Sequence, residues 1–123
     1  MTTQAADLAR KQCKPCEGGV PPLTPEQVKS LLPAIPQWQL TAAGKAIRRE
    51  WTVKDFAAAL AFFQRVGKVA EEQDHHPDLH LTGYRKVAIE LSTHALGGLS
   101  ENDFILAARI DQLPVELQRS SPG

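Results

Sequence analysis

Four histidines are the residues of this chain best suited to chemistry near neutral pH, and all four fall between positions 75 and 94. His75 and His76 are adjacent and stand just before Pro77, His80 follows shortly after, and His94 closes a longer apolar-polar stretch. An imidazole has an unperturbed pKa of about 6.5, so it can both give and accept a proton. Two or three around one pocket could divide the work of acid and base, because interacting sites titrate in separate steps. Metal ligation fits them less well. His75 and His76 cannot share one face of a helix, and Pro77 opposes a helix through His76 and His80, the one pair four apart. His80 reads as an exposed strand residue. Asp103 stands three residues after Ser100, which makes Ser100-Glu101-Asn102-Asp103 a near capping box with acidic residues suited to a helix N-terminus.

The remaining chemical candidates are Cys13 and Cys16, the only two cysteines, in the order Cys-Lys-Pro-Cys. A zinc site would ordinarily need a second pair or nearby histidines, and neither is present in the sequence around them. No strand-to-helix unit of the thioredoxin kind follows, so the pair reads as a tail or turn. Metal held by Cys13, Cys16 and a histidine brought close by folding stands as a separate alternative; otherwise no metal is expected.

The elements that must carry the histidines are legible in part. Residues 1–23 read as a flexible N-terminal extension ending in Glu17-Gly18-Gly19-Val20-Pro21-Pro22, where glycine and proline favour turns. A folded domain is expected over residues 24–113, with a polar, fraying tail over 114–123. Thr24-Pro25-Glu26-Gln27 predicts a capped helix start, and Pro33 and Pro36 close that helix. Two strands are expected at 38–42 and 46–53 around a turn at Gly44. From Lys54 to Gln73 the apolar residues Phe56, Ala59, Leu60, Phe63, Val66 and Ala70 recur at helical spacing, which predicts a long helix with this stripe in the core. Gly67 costs that helix about 1 kcal/mol, so close packing against another backbone is expected there. Strands at 79–82 and 84–93 and a helix at 100–113 complete the order α-β-β-α-β-β-α. The fold class is α+β: a four-stranded antiparallel sheet with three helices on one face.

Composition limits the function classes. The 123 residues fit one domain. Fourteen basic and 14 acidic side chains cancel, which removes the electrostatic footprint of a partner such as nucleic acid or an anionic membrane. No apolar run approaches the ~20 residues of a membrane span, and the first twenty residues lack the apolar core of a secretion signal. A cytoplasmic protein is the expectation.

The residues then go further than general chemistry. The run Ala70-Glu71-Glu72-Gln73-Asp74-His75-His76-Pro77, followed by Tyr84-Arg85-Lys86-Val87, Leu91-Ser92-Thr93-His94 and Gly98-Leu99-Ser100-Glu101-Asn102-Asp103, resembles the pterin-4a-carbinolamine dehydratase family. The signature roles would fall on Glu71, His75, His76, Pro77, Tyr84, His94 and Asp103, and the likeness extends over roughly residues 24 to 113. The cysteine leader resembles an extension on some bacterial members. Two departures stand out: Leu79 where many members carry tryptophan, and Ala95 where others often have glutamate.

The resemblance implies dehydration of a 4a-hydroxytetrahydropterin to the quinonoid dihydropterin, recycling the cofactor of an aromatic amino-acid hydroxylase. It implies His75, His76 and His94 as the proton-transfer set. Asp74, His75, His76, Ser92, Thr93, His94 and Ala95 would bind the pterin, and Glu71, Pro77 and Asp103 would support. No cofactor is implied, the reduced pterin being the substrate. Association as a homodimer or homotetramer is also implied. The alternative is a non-catalytic, protein-binding coactivator or assembly factor on the same fold, a role that would not need the histidines.

Overall fold

The computed structural model describes residues 5–11, 13, 21–41 and 44–118. Helix α1 (Ala5–Arg10) precedes α2 (Pro25–Leu31), which runs into a 3-10 turn at Leu32–Ala34. Strands β1 (Gln39–Thr41) and β2 (Ala46–Thr52) lead to the long helix α3 (Phe56–Gln73). Strands β3 (Asp78–Thr82) and β4 (Lys86–Leu91), a 3-10 turn at His94–Leu96 and helix α4 (Glu101–Asp111) follow.

Local chemistry explains the helix starts. The amide of Gln27 donates to Thr24 Oγ1 at 3.2 Å while the Thr24 amide donates to Gln27 Oε1 at 2.8 Å, the reciprocal pair read from the sequence. Asp55 caps α3 by accepting from the Ala58 amide at 2.8 Å.

The sheet is antiparallel throughout, in the order β1-β2-β4-β3, so the two hairpins meet through β2 and β4. Ile47 faces Leu91, Arg49 faces Ile89 and Trp51 faces Val87 in register. All of these except Arg49 are buried, and they form one layer of a core completed by Phe62, Val66, Phe104, Ile105 and Ile110 from the helices. Arg48, Glu50, Lys86 and Glu90 occupy the alternate positions on the outer face. No helix among the described residues is long and apolar enough to cross a membrane.

Four expectations change. Helix α1 was not anticipated: Leu8 and Ala9 of the extension are buried, and α1 packs on α4. The C-terminal segment continues in order to residue 118, with Leu117 bridged to Val53 and the Lys54 amide donating to Glu116 O at 2.8 Å. In α3 the core stripe is Ala58, Ala59, Phe62, Val66 and Ala70, whereas Phe56 and Leu60 are 50% and 45% exposed. The helix carries two neighbouring apolar stripes, and only one can face the sheet. A Cβ built on Gly67 meets nothing within 4 Å, so no backbone among the described residues approaches it.

Among the described residues Arg49 is the one charge on the inward face of the sheet. Its guanidinium donates to Asp111 Oδ1 at 2.6 Å, lies over the Trp51 ring at 4.5 Å, and shares that carboxylate oxygen with Trp38 Nε1 at 2.9 Å. Replacing Asp111 by alanine strips both donors of their acceptor. The expected cost is about 2 kcal/mol, below the cost for a fully enclosed pair because both side chains keep some water. A urea midpoint about 1 M lower would show it; Asp111→Asn, which keeps an acceptor for Trp38, should lose less.

Candidate active site

The C-terminus of α3 delivers the first histidine pair. The Asp74 amide donates to Glu71 O at 3.3 Å and the His75 amide to Ala70 O at 3.1 Å, the two bonds of a Schellman ending. Asp74 occupies the left-handed position at φ 50° that glycine usually fills. That choice costs backbone energy of order 1 kcal/mol, and aspartate is among the few residues with a side chain that adopt it readily. Pro77, past the end of α3, bars any helical continuation, and β3 begins at the next residue, Asp78.

His75 points inward. Its side chain is 11% exposed, and its Nε2 lies 2.6 Å from Oδ1 of Asp103, which is fully buried. The other oxygen of Asp103 accepts from Thr93 Oγ1 at 2.8 Å and from the Ser100 amide at 2.9 Å. Thr93 Oγ1 is also 2.7 Å from Ser100 Oγ. A carboxylate only accepts, so Nε2 of His75 donates, and in the neutral imidazole Nδ1 is then the acceptor nitrogen. Three donors satisfy a buried acid that would otherwise be costly to enclose. The capping role read for Asp103 is thus correct, and the same carboxylate also orients His75.

His76 faces solvent. Its Nε2 is 3.3 Å from Glu71 Oε2, with both side chains more than half exposed, so this contact adds little energy. His94 opens the 3-10 turn after β4; its side chain lies outside the described part of the structure. The backbone between Thr93 and Gly98 closes on itself, Thr93 N donating to Gly98 O at 2.8 Å. Gly97 takes φ 68° inside this loop, and Ala95 is exposed on it.

A cavity of about 360 Å³ opens beside this loop, lined by Ser92, Thr93, Gly97 and Gly98 together with Lys45, Asp78 and Glu90. That volume is at the small end for ligand pockets, the size suited to one compact molecule. His75 and His76 are not among its lining residues; Thr93 joins it to His75, since its hydroxyl reaches the acid that holds that imidazole.

Lys45, Asp78, Glu90 and Gly97 were not singled out in the sequence. Asp78 had a signal, directly following His-His-Pro. Glu90 had none, because its pairing with Asp78 comes from strand order. Two carboxylates directly opposite are unfavourable, and Arg48 offsets them. Glu50 at 2.9 Å and Glu90 at 2.5 Å accept from Arg48 and hold its guanidinium above its ordinary pKa. His80 sits on this outer face, exposed, 3.7 Å from Glu90, as read. Tyr84 lies at the turn of the β3–β4 hairpin with φ 57° and its ring under Arg85. That is the far end of β3 from the histidine pair, about 13 Å along the strand.

Comparison with known proteins identifies the family of the chain. The sequence model described as Pterin 4 alpha carbinolamine dehydratase matches residues 21–113. A Nitrosospira multiformis protein bearing that family's name is 48% identical over 92% of this chain and 97% of its own. The Arabidopsis thaliana protein named pterin-4-alpha-carbinolamine dehydratase 2, mitochondrial, is 47% identical over 90% of this chain and 61% of its own. The crystal structure of a transcriptional coactivator/pterin dehydratase from Brucella melitensis superposes with a TM-score of 0.68 at 32% identity, covering 73% of this chain and 95% of that one. The sheet order, the paired histidines at the end of α3 and the acid beneath them are therefore features of a chain that belongs to the pterin-4-alpha-carbinolamine dehydratase family.

Proposed function

We propose that this protein is a hydro-lyase that dehydrates a 4a-hydroxytetrahydropterin to the quinonoid dihydropterin, with histidines moving the protons. The observation that carries the reading is the buried Asp103–His75 pair, joined through Thr93 to a cavity sized for one small ring system. Hydroxide is a poor leaving group, so the C4a hydroxyl departs as water only when an acid protonates it. The N5–H proton must be removed as the N5–C4a double bond forms. Positioned acid and base groups each contribute roughly 10²–10⁴-fold. His75, with its proton directed at Asp103, offers Nδ1 as the base for N5–H. Protonated His76 serves as the acid at the hydroxyl, and His94 completes the set from the loop opposite. One proton is taken and one is given, so the change is redox-neutral and calls for no cofactor.

Asp74 and the backbone of Ser92, Thr93, His94 and Ala95 would hold the pterin ring. The product would return to service as the reduced cofactor of an aromatic amino-acid hydroxylase in the cytoplasm. The test is the decay of 4a-hydroxytetrahydropterin with and without protein. A first-order acceleration proportional to protein concentration is expected, and decay at the uncatalysed rate would exclude the reading.

A second copy of the chain is part of the same proposal. Phe56 and Leu60 expose their side chains on α3, Phe63 is half-buried, and Gly67 continues that stripe without a side chain. Such a stripe suits a helix from another copy lying close against it. Leu60→Glu should lower the mass measured by light scattering towards 13.5 kDa while the circular dichroism stays unchanged. An unchanged mass would place any interface elsewhere.

A further inference from the structure

The family match begins at residue 21, yet the segment before it makes contacts that converge on the candidate site. Leu8 is fully buried where α1 packs on α4. The Lys11 carbonyl accepts from Arg109 Nε and Nη2 at 3.2 and 2.6 Å, and Lys11 Nζ pairs with Glu101 at 3.0 Å. The Cys13 amide donates to Gln73 Oε1 at 2.8 Å, and its Sγ lies 3.6 Å from the carbonyl oxygen of Asn102. Gln73 is the last residue of α3 and comes just before Asp74 and His75. Asn102 comes just before Asp103 in the first turn of α4.

We propose that Leu8, Lys11 and Cys13 act as a strap that pins these two helix ends together and so positions the His75–Asp103 bond, with Gln73 as a positioning residue. Helix ends are where structure opens most readily. His75 follows the end of α3 while Asp103 stands in the first turn of α4, so their separation depends on how those ends are held. A misplacement of about 1 Å from a distant change can cost up to about 10²-fold in rate. The strap makes one contact near each group, to Gln73 two residues before His75 and to Asn102 directly before Asp103. It rests on the dehydratase reading for its kinetic consequence, but not for its structural one.

The experiment uses the full chain with Leu8→Gln, Gln73→Ala and the double variant. Each single variant is expected to lower kcat about tenfold with KM within about twofold, and to shift or broaden the NMR signal of the His75 Nε2 proton. Gln73→Glu, which keeps an acceptor oxygen for Cys13, should restore both. The double variant should be no worse than the poorer single one, because both changes release the same tether. Additive losses, or kcat within twofold of wild type with the His75 signal unmoved, would overturn the proposal. If Leu8→Gln fails to fold, Gln73→Ala and Gln73→Glu decide it. If wild type does not dehydrate the pterin, the earlier reading fails, and the His75 signal alone decides the strap.

Discussion

Replacing His75 by alanine is expected to lower kcat for pterin dehydration by about 10²-fold or more, the share of one positioned acid–base group. His94→Ala should do the same. The two variants differ in what else they disturb. His75 donates to a fully buried carboxylate, so its removal leaves an acceptor unpaired and costs about 1–3 kcal/mol of stability. His94 stands in the 3-10 turn after β4, and the thermal midpoint of its variant is the control for any loss of rate. Steady-state rates beside circular dichroism melts separate the two contributions. A His75→Ala protein that is destabilised yet keeps wild-type kcat would make the histidine structural and remove it from the mechanism.

Asp103→Asn tests the orientation of that histidine without opening a cavity. Oδ2 accepts from both Thr93 and Ser100, so the oxygen of an asparagine must stay on that side. Its amide then meets His75 Nε2 with a donor where an acceptor had been. The imidazole can answer only by moving its proton to Nδ1, which leaves no lone pair for the substrate. A fall in kcat of about 10²-fold or more is expected, the consequence of the wrong tautomer beside an acid–imidazole pair. Nitrogen-15 NMR of the imidazole should show the exchange of protonated and unprotonated nitrogens. Asp103→Ala, by contrast, leaves several buried donors without a partner and should mainly lower stability, by about 2–3 kcal/mol.

Much of this was legible in the chain because local chemistry dictates it. Thr24 and Gln27 cap α2 in any context where a helix follows, and Pro77 ends one wherever it falls. The strand face of Val87, Ile89 and Leu91 follows from alternation alone. Other features depend on what meets what. Phe56 and Leu60 fit the helical period as well as Phe62 and Val66 do, and only the sheet decides which stripe it covers. Leu8 carries no signal by itself in a polar leader; it is buried because α4 offers an apolar flank. The site shows the same division. The histidine pair and Asp103 were visible as residue types at telling positions. Their bond was not, since it joins positions 28 apart in sequence. The cavity residue Glu90 belongs to a strand whose place in the sheet no pattern announced, and Lys45 stands in the turn just before β2.

The proposal stands or falls on one cleft serving both the histidines and the Thr93 loop. Titrating an unreactive dihydropterin into nitrogen-15-labelled protein tests this residue by residue. The amides of Asp74 to His76, Asp78 and Ser92 to Gly98 should shift together and saturate at one ligand per chain. Shifts confined to Arg48, Glu50 and Lys86 on the outer sheet face, with His75 and Thr93 silent, would contradict it.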